Sequence, residues 1–493
     1  RPVKLDVSRE ETFCNTRTRH SIEFDLAAGV GKDGRLLAKD MHSYSNQGAY
    51  ASHGHAIAAN GLTSWRLQYA CPNIRGEAYT IYTNTPVGGA MRGYGIPQVC
   101  FAIESFMDDV ANEIHMDPLE FRRKNLIQGY YEDAYLKPIA ANTNGIFECL
   151  EKGAEYIHWD EKRKEYAEQT GDVRKGVGMA LFSYKTGVWP ISLEIAGARL
   201  SLNQDGSVQL MLGATEIGQG ADTVFSQMVA ETLHTDMEHV HIKTVQDTDV
   251  SPFDTGAYAS RQSFVTGTAV RHCAEILRDK ILAYAKTLLP EIDTRELTLK
   301  DNWIWAGDEQ AISLAALAEE SYYSLTNSSV LTAEVSEQVK KNTIATGCCF
   351  AEVEVDIKLG KIKILHIINV HDSGKLLNPQ LAEMQVHGGM SMGMGYGISE
   401  QLILDEKTGR PLNGNLLDYK LMTMLDTPDI KADFVELCDP MGPYGNKALG
   451  EPPAIPCAPA IRNAVLHATG VAFYENPLTP QRLIDGFKKA GLI

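Results

Sequence analysis

No stretch of about 18 consecutive apolar residues occurs in this chain of 493 residues, so a membrane-spanning helix is not predicted. A leader with a charged start and an apolar centre is equally missing, and the cytoplasm is the expected compartment. Cysteine is sparse and irregular: nine residues, at 14, 71, 100, 149, 273, 348, 349, 438 and 457, with no C-x-x-C pair among them. That spacing argues against a structural zinc or an iron–sulfur cluster built within this chain alone, and the odd, scattered set fits a reducing compartment. Positive charge is also short. Lys and Arg number 46 against 63 Asp and Glu, a net charge of −17, so a nucleic-acid surface would have to work against the whole protein's field. Neither a Walker loop nor a G-x-G-x-x-G after a strand is present, and no period of roughly 20 to 50 residues repeats.

What remains is the composition of a large folded protein, 44% hydrophobic and 22% charged, with chain enough for about two to four domains. The opening Arg1-Pro-Val-Lys-Leu-Asp-Val7 lacks Met and reads as a strand already under way, which predicts that the natural chain begins earlier. His20–Val30 and Leu36–Ser45 alternate around Gly31-Lys-Asp-Gly34, and Glu77–Tyr82 adds a further strand to a curved sheet. Pro97 opens an amphipathic helix with Phe101, Ile103, Phe106, Val110 and Ile114 on one stripe. The polar residues 127–175 form the candidate domain boundary. Beyond them the pattern predicts strands at 177–185, 193–202 and 207–213, a helix over 223–233, a strand near 239–245 and a long helix ending near Leu289. A hairpin of 348–357 with 362–370, a helix over 380–400 and a last pair of helices follow.

Glycine-rich loops stand before helices at Gly88–Gly95 and Gly213–Gly220, and a further loop spans Asp247–Gln262. Each predicts free backbone N–H groups at a helix N-terminus, the local chemistry that holds phosphate or another anion. Gly388–Gly395 differs, because it lies inside an apolar helical pattern where small residues permit close packing. Five motifs follow one another in order: Ala90-Met-Arg-Gly-Tyr-Gly-Ile-Pro-Gln98, Thr215-Glu-Ile-Gly-Gln-Gly220, Gly256-Ala-Tyr-Ala-Ser-Arg261, Gln385-Val-His-Gly388 and Gly450-Glu-Pro-Pro453. In these the chain resembles the molybdenum hydroxylases of the xanthine oxidase family, over essentially all its length. The likeness is greatest to the separate molybdenum-binding subunits of the bacterial xanthine dehydrogenase branch.

The resemblance implies an α+β protein of two mixed α/β molybdopterin-binding domains, with 1–145 the C-terminal part of the first and 146–493 the second. The family's N-terminal hammerhead domain, with its Gln-containing and Phe-Gly-Gly loops, is then expected to precede Arg1. The implied cofactor is molybdenum–molybdopterin, as the bare pterin or as a dinucleotide. By the same resemblance Arg92 and the peptide around Ala257 and Ala259 approach the metal, while Gly218, Gln219, Ser260 and Arg261 hold the pterin or its phosphate. An Arg fork and loop amides suit such anions. Glu451 lies between a glycine and two prolines, so its backbone is held rigidly. Such an acid is either a helix cap or, as the family implies, the general base for inserting water-derived oxygen at an electron-poor carbon next to nitrogen.

Counting back from Arg92 places Asn60 at the family's substrate-anchoring Arg position, and Tyr94 and Val188, beside Trp189, at its two stacking Phe positions. One aromatic face remains. The implied substrate is a purine, hypoxanthine or xanthine, with electrons passing to 2Fe-2S and FAD partner subunits and then to NAD. The rival readings are a nicotinate- or aldehyde-type hydroxylase, and a non-catalytic fragment or assembly partner. Carbon monoxide dehydrogenase is disfavoured because Gly93-Tyr94 stand where that branch carries a copper-binding Cys. Three other features get plainer readings. His53 and His55 would share a face if 51–56 is a strand, but no third metal ligand stands at a recognisable spacing. Cys348-Cys349 read as buried core, and His371-Asp372 precede Ser373-Gly374 in what reads most simply as a turn, the alternative being a region that lines the cofactor tail.

Overall fold

Ser8 starts the first element by capping a short helix. Its hydroxyl accepts from the Glu11 amide at 3.2 Å, and the Glu11 carboxylate accepts from the Ser8 amide at 2.7 Å, over α1 (Arg9–Asn15). The computed structural model describes residues 3–132, 138–140, 143–243 and 246–493; residues 3–7 carry no regular structure, so the strand expected at the start is not there. β1 (Ser21–Val30) and β2 (Leu36–Gly48) pair antiparallel, as their alternation predicts, and β3 (Asn73–Tyr82) lies parallel to β2. A parallel step needs a crossover, and α2 (Gly54–Leu67) supplies it. Ile57, Ala58, Gly61 and Trp65, buried at helical spacing, overrule the short strand considered over 51–56. His53 therefore precedes a helix and His55 lies in its first turn, so no strand face joins them.

α3 (Ile96–Glu113) begins at Pro97 as expected and leads into α4 (Pro118–Asn125), then a small pair β4 (Tyr130–Glu132) and β5 (Pro138–Ala140). The polar stretch 127–175 is more than a linker. It forms α5 (Ile146–Ile157) and α6 (Trp159–Glu165), and Cys149, Leu150 and Ile157 are fully buried with Val177 and Phe350 in one core. Residues 133–137 and 141–142 of that stretch lie outside the described residues.

Two four-stranded sheets carry the rest. β6 (Val173–Lys185) enters the first of them, and β7 (Ile195–Leu202), β8 (Val208–Leu212), α7 (Ala221–Leu233) and β9 (Val240–Lys243) build the second; 244–245 of the expected strand lie outside the described residues. Next come α8 (Gly267–Leu288), a small meander β10 (Leu297–Lys300), β11 (Trp303–Ala306) and β12 (Glu309–Ser313), and α9 (Leu314–Tyr323). β13 (Thr332–Gln338) closes the second sheet in the order β13-β7-β8-β9. The hairpin β14 (Ile344–Asp356) and β15 (Lys361–Asp372), with β16 (Asp429–Phe434), completes the first in the order β16-β15-β14-β6. Cys348 and Cys349 are fully buried in it, and His371-Asp372 end β15 instead of forming a turn.

α10 (Pro379–Ile398), α11 (Cys457–Thr469) and α12 (Pro480–Lys489) finish the chain, α10 and α11 covering one face of this first sheet while α5 covers the other. With both faces covered, β6 and β14 read as nearly unbroken apolar runs. α11 approaches so closely that a Cβ on Gly178 would sit 2.1 Å from the Ala464 amide nitrogen. Among the described residues no helix is long and apolar enough to cross a membrane.

The glycines of α10 divide between packing and open space. A Cβ on Gly389 would fall 2.4 Å from the Pro453 Cβ, whereas one on Gly388 would meet nothing nearer than Arg92 Nη1 at 3.9 Å. Gly389→Ala should therefore destabilise by about 1–3 kcal/mol through overpacking, while Gly388→Ala should be neutral or gain up to about 1 kcal/mol of helix propensity. Urea midpoints of the two variants check the contrast, and equal shifts would contradict it.

Candidate active site

The loop between β3 and α3, the end of β6, the loop before α8, the middle of α10 and the loop before α11 meet at one place. Arg92 joins three of these segments: Nε donates to the Gly450 carbonyl at 2.7 Å, and Nη2 to the Gln385 carbonyl at 3.0 Å and its side-chain Oε1 at 3.3 Å. Nη1 makes no hydrogen bond among the described residues and borders the open space beside Gly388. Burial lowers the proton affinity of this guanidinium, with the Glu451 carboxylate opposing the shift. Arg19 supports the loop from behind, its Nη2 donating to the Arg92 carbonyl at 3.0 Å.

Glu451 is held at both oxygens. Oε1 accepts from the Gly93 amide at 3.0 Å; Oε2 accepts from the buried Tyr184 hydroxyl and, at 3.4 Å, from Ser260 Oγ. Ser260 Oγ in turn accepts from the Glu451 amide at 3.0 Å. Burial first, then the Glu451 charge, push the Tyr184 hydroxyl well above its ordinary value, so it stays a donor. The carboxylate is thus oriented by loop, strand and helix-entry residues, which a simple helix cap does not require. Tyr184 carries no motif; its only sequence signal is its place near the end of the buried run 176–184.

The loop before α8 is built for another purpose. Ala259 and Ser260 lie consecutively in the left-handed region, at φ 50 and φ 48, which costs side-chain-bearing residues energy and marks an imposed geometry. The N–H groups of Ala257, Tyr258, Ala259 and Ser260 find no acceptor among the described residues. Arg261 does not share that freedom: Nε donates to Glu194 at 2.6 Å, Nη1 to Asp254 at 2.7 Å and the Gly256 carbonyl at 3.1 Å, and Nη2 to the Ile195 carbonyl at 2.9 Å. It is fully buried and braces the loop from beneath, so the fork expected to face a phosphate is already occupied. Glu194 also accepts from the Val188 amide, and the Gly187 amide donates to the Ala259 carbonyl at 2.9 Å, which fixes Val188 beside this loop.

The loop 215–220 departs from expectation in the same way. Glu216 accepts from the amides of Gly218 at 2.7 Å, Gly220 at 3.2 Å and Asp222 at 3.1 Å, so its own carboxylate fills the anion position at the start of α7. Those backbone bonds, outweighing burial, hold the Glu216 carboxyl below its ordinary value. Gln219 is engaged with the Thr215 carbonyl at 3.0 Å and Gln262 at 2.6 Å. Gly218 nevertheless faces open space, with nothing within 4 Å of a Cβ built on it. Asn60, expected to meet substrate, uses Nδ2 on the Tyr94 carbonyl at 3.0 Å, and the Tyr94 hydroxyl pairs with His53 Nδ1 at 2.7 Å.

Models of the molybdopterin cofactor-binding domain match residues 1–126 and 152–428. The chain belongs to that family. Arg92 and Tyr94 fall in the first matched span, residues 215–261 and Gln385 in the second, and Glu451 beyond both. The xanthine dehydrogenase molybdenum-binding subunit of Escherichia coli O157:H7 is 48% identical over 497 aligned residues, covering 100% of this chain and 66% of that protein, so the chain spans slightly under two thirds of this relative. The aldehyde oxidoreductase molybdenum-binding subunit of Escherichia coli K12 is 27% identical, covering 98% and 63%. Quinoline 2-oxidoreductase from Pseudomonas putida 86 shares the fold, with a TM-score of 0.90 at 23% identity over 98% of this chain and 64% of that one. The expected pair of mixed α/β molybdopterin-binding domains is thereby shown, and the residues suit the family's cofactor: among the described residues, Arg92 Nη1 and the four amides at 257–260 have no partner, and Gly388 and Gly218 present open faces.

Behind Arg92 lies His371, fully buried between the rings of Phe182 and Phe434, with neither ring nitrogen hydrogen-bonded among the described residues. Burial, and then the Arg92 charge, push it down to about 3 from an ordinary 6.5. The unfolded chain takes up a proton near 6.5 that the folded chain refuses until about 3, so this residue costs stability as pH falls through that window. His371→Phe should flatten the acid limb of the stability profile. Urea midpoints between pH 6.5 and 4 test this, and an unchanged slope would contradict it.

Proposed function

We propose that this chain is the catalytic core of a xanthine dehydrogenase-type molybdenum hydroxylase that oxidises a purine, hypoxanthine or xanthine, at a carbon next to nitrogen. The observation that carries the reading is the triply oriented Glu451 carboxylate facing the Arg92 segment. The 48% identity to a xanthine dehydrogenase subunit favours this branch over the aldehyde- and nicotinate-type ones. In the cell, we propose, the subunit works in the cytoplasm with 2Fe-2S and FAD partner subunits, NAD being the final acceptor. The division at residue 145 belongs to the same proposal, supported by the start of α5 at Ile146.

Arg92 Nη1 and the amides of Ala257 to Ser260 would hold the anionic parts of the cofactor, with Gly218 and Gln219 bordering it and Arg261 bracing the loop. When bound, the molybdenum centre supplies the oxidant and activates the water-derived oxygen. Glu451 then accepts the proton of the attacking oxygen at Oε1, the carboxylate atom with one neighbour, while Tyr184 and Ser260 keep Oε2 in place. Gly93 couples that carboxylate to the adjacent Tyr94, whose ring forms the substrate face. Val188, fixed by Glu194, borders it as a small apolar contact, and Asn60 acts through the Tyr94 carbonyl.

Glu451→Gln separates general base from cap, because it keeps size and an accepting oxygen but cannot take the proton. In the assembled enzyme the variant should retain molybdenum and melting temperature yet lose at least about a hundredfold in reductive half-reaction rate. Near-native turnover of a fully metallated Glu451→Gln enzyme would defeat the assignment.

Tyr94→Ala should remove a stacking contribution of about 0.5–1.5 kcal/mol, so that kcat/KM for heteroaromatic substrates falls more than that for small aldehydes. Parallel steady-state assays check this; equal losses would make Tyr94 a packing residue.

A further inference from the structure

Tyr94 is held in a conformation that a residue with a side chain does not adopt freely, at φ 49. Its amide donates to the Met91 carbonyl at 2.8 Å, its carbonyl accepts from Asn60 Nδ2 at 3.0 Å, and its hydroxyl lies 2.7 Å from His53 Nδ1. The imidazole stands edge-on to the phenol, with ring centres 5.6 Å apart and planes at 87°. His53 immediately precedes α2 and Asn60 lies about two turns into it, so the start of one helix grips both the backbone and the tip of the same tyrosine. Next to Tyr94, Gly93 donates to Glu451, which ties the ring's position to that of the carboxylate.

We propose that His53 is a positioning residue: its Nδ1 accepts the Tyr94 hydroxyl hydrogen and fixes the plane of the ring on which a flat N-heterocycle stacks, favouring such substrates over small aldehydes. This rests on the reading of Tyr94 as the substrate face. The bond runs this way in the neutral tautomer that carries its hydrogen on Nε2. Burial raises the Tyr94 hydroxyl, which keeps the hydrogen it has to donate. Burial, then Arg17 from the segment before β1 and His55 in α2, lower His53, leaving a neutral ring whose Nδ1 can accept. His20, beside β1, and Glu451, beyond Tyr94, are the other ionisable groups facing the pair. A phenylalanine at 94 would offer the same stacking surface without this anchor.

The test uses the molybdenum-loaded complex of the full subunit with its partners. Values of kcat/KM are compared for a small aldehyde and for the heterocycle turned over fastest among xanthine, hypoxanthine and nicotinate. His53→Ala and Tyr94→Phe should each lower the heterocycle value about 3- to 10-fold more than the aldehyde value, chiefly through KM, as expected for the loss of one hydrogen bond. The double variant should be no worse than either single one. His53→Asn, whose Oδ1 takes the place of Nδ1, should restore most of the loss. With no imidazole to protonate, it should also show a smaller acid-side fall in heterocycle kcat/KM than the parent enzyme. Additive losses in the double variant, equal losses on both substrates, or no rescue by His53→Asn would overturn the inference. An unchanged heterocycle preference in Tyr94→Ala would overturn the reading of Tyr94 beneath it. A preference lost in Tyr94→Ala but kept in His53→Ala would overturn only the role of His53.

Discussion

One guanidinium holds together segments that are hundreds of residues apart. Arg92 crosses 358 positions to reach the Gly450 carbonyl and 293 to reach Gln385, and its own loop supplies the Gly93 amide that orients Glu451. Charge-assisted bonds of this kind are roughly twice as strong as neutral ones. If the guanidinium were lost, the half-buried Gly450 carbonyl would lose this donor and the Gln385 carbonyl its second one, and the loop that carries Glu451 would lose its side-chain tie to α10, keeping only the Gly93 bond to the β3–α3 turn. The positions of carboxylate, open space and aromatic ring relative to one another all follow from this junction.

Other buried charges hold the surrounding frame in the same manner. Arg122 pairs with Glu104 at 2.9 Å and Asp108 at 2.8 Å, and Glu104 also accepts from Tyr69 and from the Leu181 amide, so α3 is fixed to β6. Burial pushes the Glu104 carboxyl up, with the Arg122 charge opposing the shift. Arg261 does the same for the loops at 194 and 254, and Lys447 pairs with Asp372 at 2.7 Å beneath the segment leading to Glu451. Such pairs add little net stability, since desolvation offsets attraction, but breaking one leaves an uncompensated charge at about 3–5 kcal/mol. Their value here is geometric: Arg122 fixes α3 to β6, while Arg261 and Lys447 fix loops of the site.

Much of the fold was legible from period alone. The strands from β6 to β8, the hairpin of β14 and β15, and the helices beginning near Pro97, Gly220 and Gln380 stand close to where alternation and helical spacing put them. The elements that escaped are those whose signal is local and mixed. α2 has the modest apolar pattern of Ile57, Ala58, Gly61 and Trp65, and α5 hides its buried Cys149, Leu150 and Ile157 in a charged stretch. At the site, motifs found the loops but not the partners of each side chain. Glycine content cannot reveal that Glu216 fills the amides of its own loop or that Arg261 is consumed by Glu194 and Asp254, because those contacts depend on tertiary approach. Tyr184 and His53 were illegible as site residues for the same reason: a strand end and a helix start acquire meaning only when the loop carrying Glu451 or Tyr94 arrives beside them.

The central claim is that Arg92 both assembles this junction and presents its free Nη1 to the anionic cofactor of the molybdopterin-binding family. Molybdenum and pterin content per chain, determined for the purified assembled enzyme and its Arg92→Lys variant, tests that claim most directly. A lysine keeps the charge but cannot bridge Gly450 and Gln385 while also offering a donor to the open space. The account predicts near-stoichiometric metal and pterin in the parent enzyme and a loss of most of both in a folded Arg92→Lys variant. Equal, full occupancy in the two proteins would contradict it.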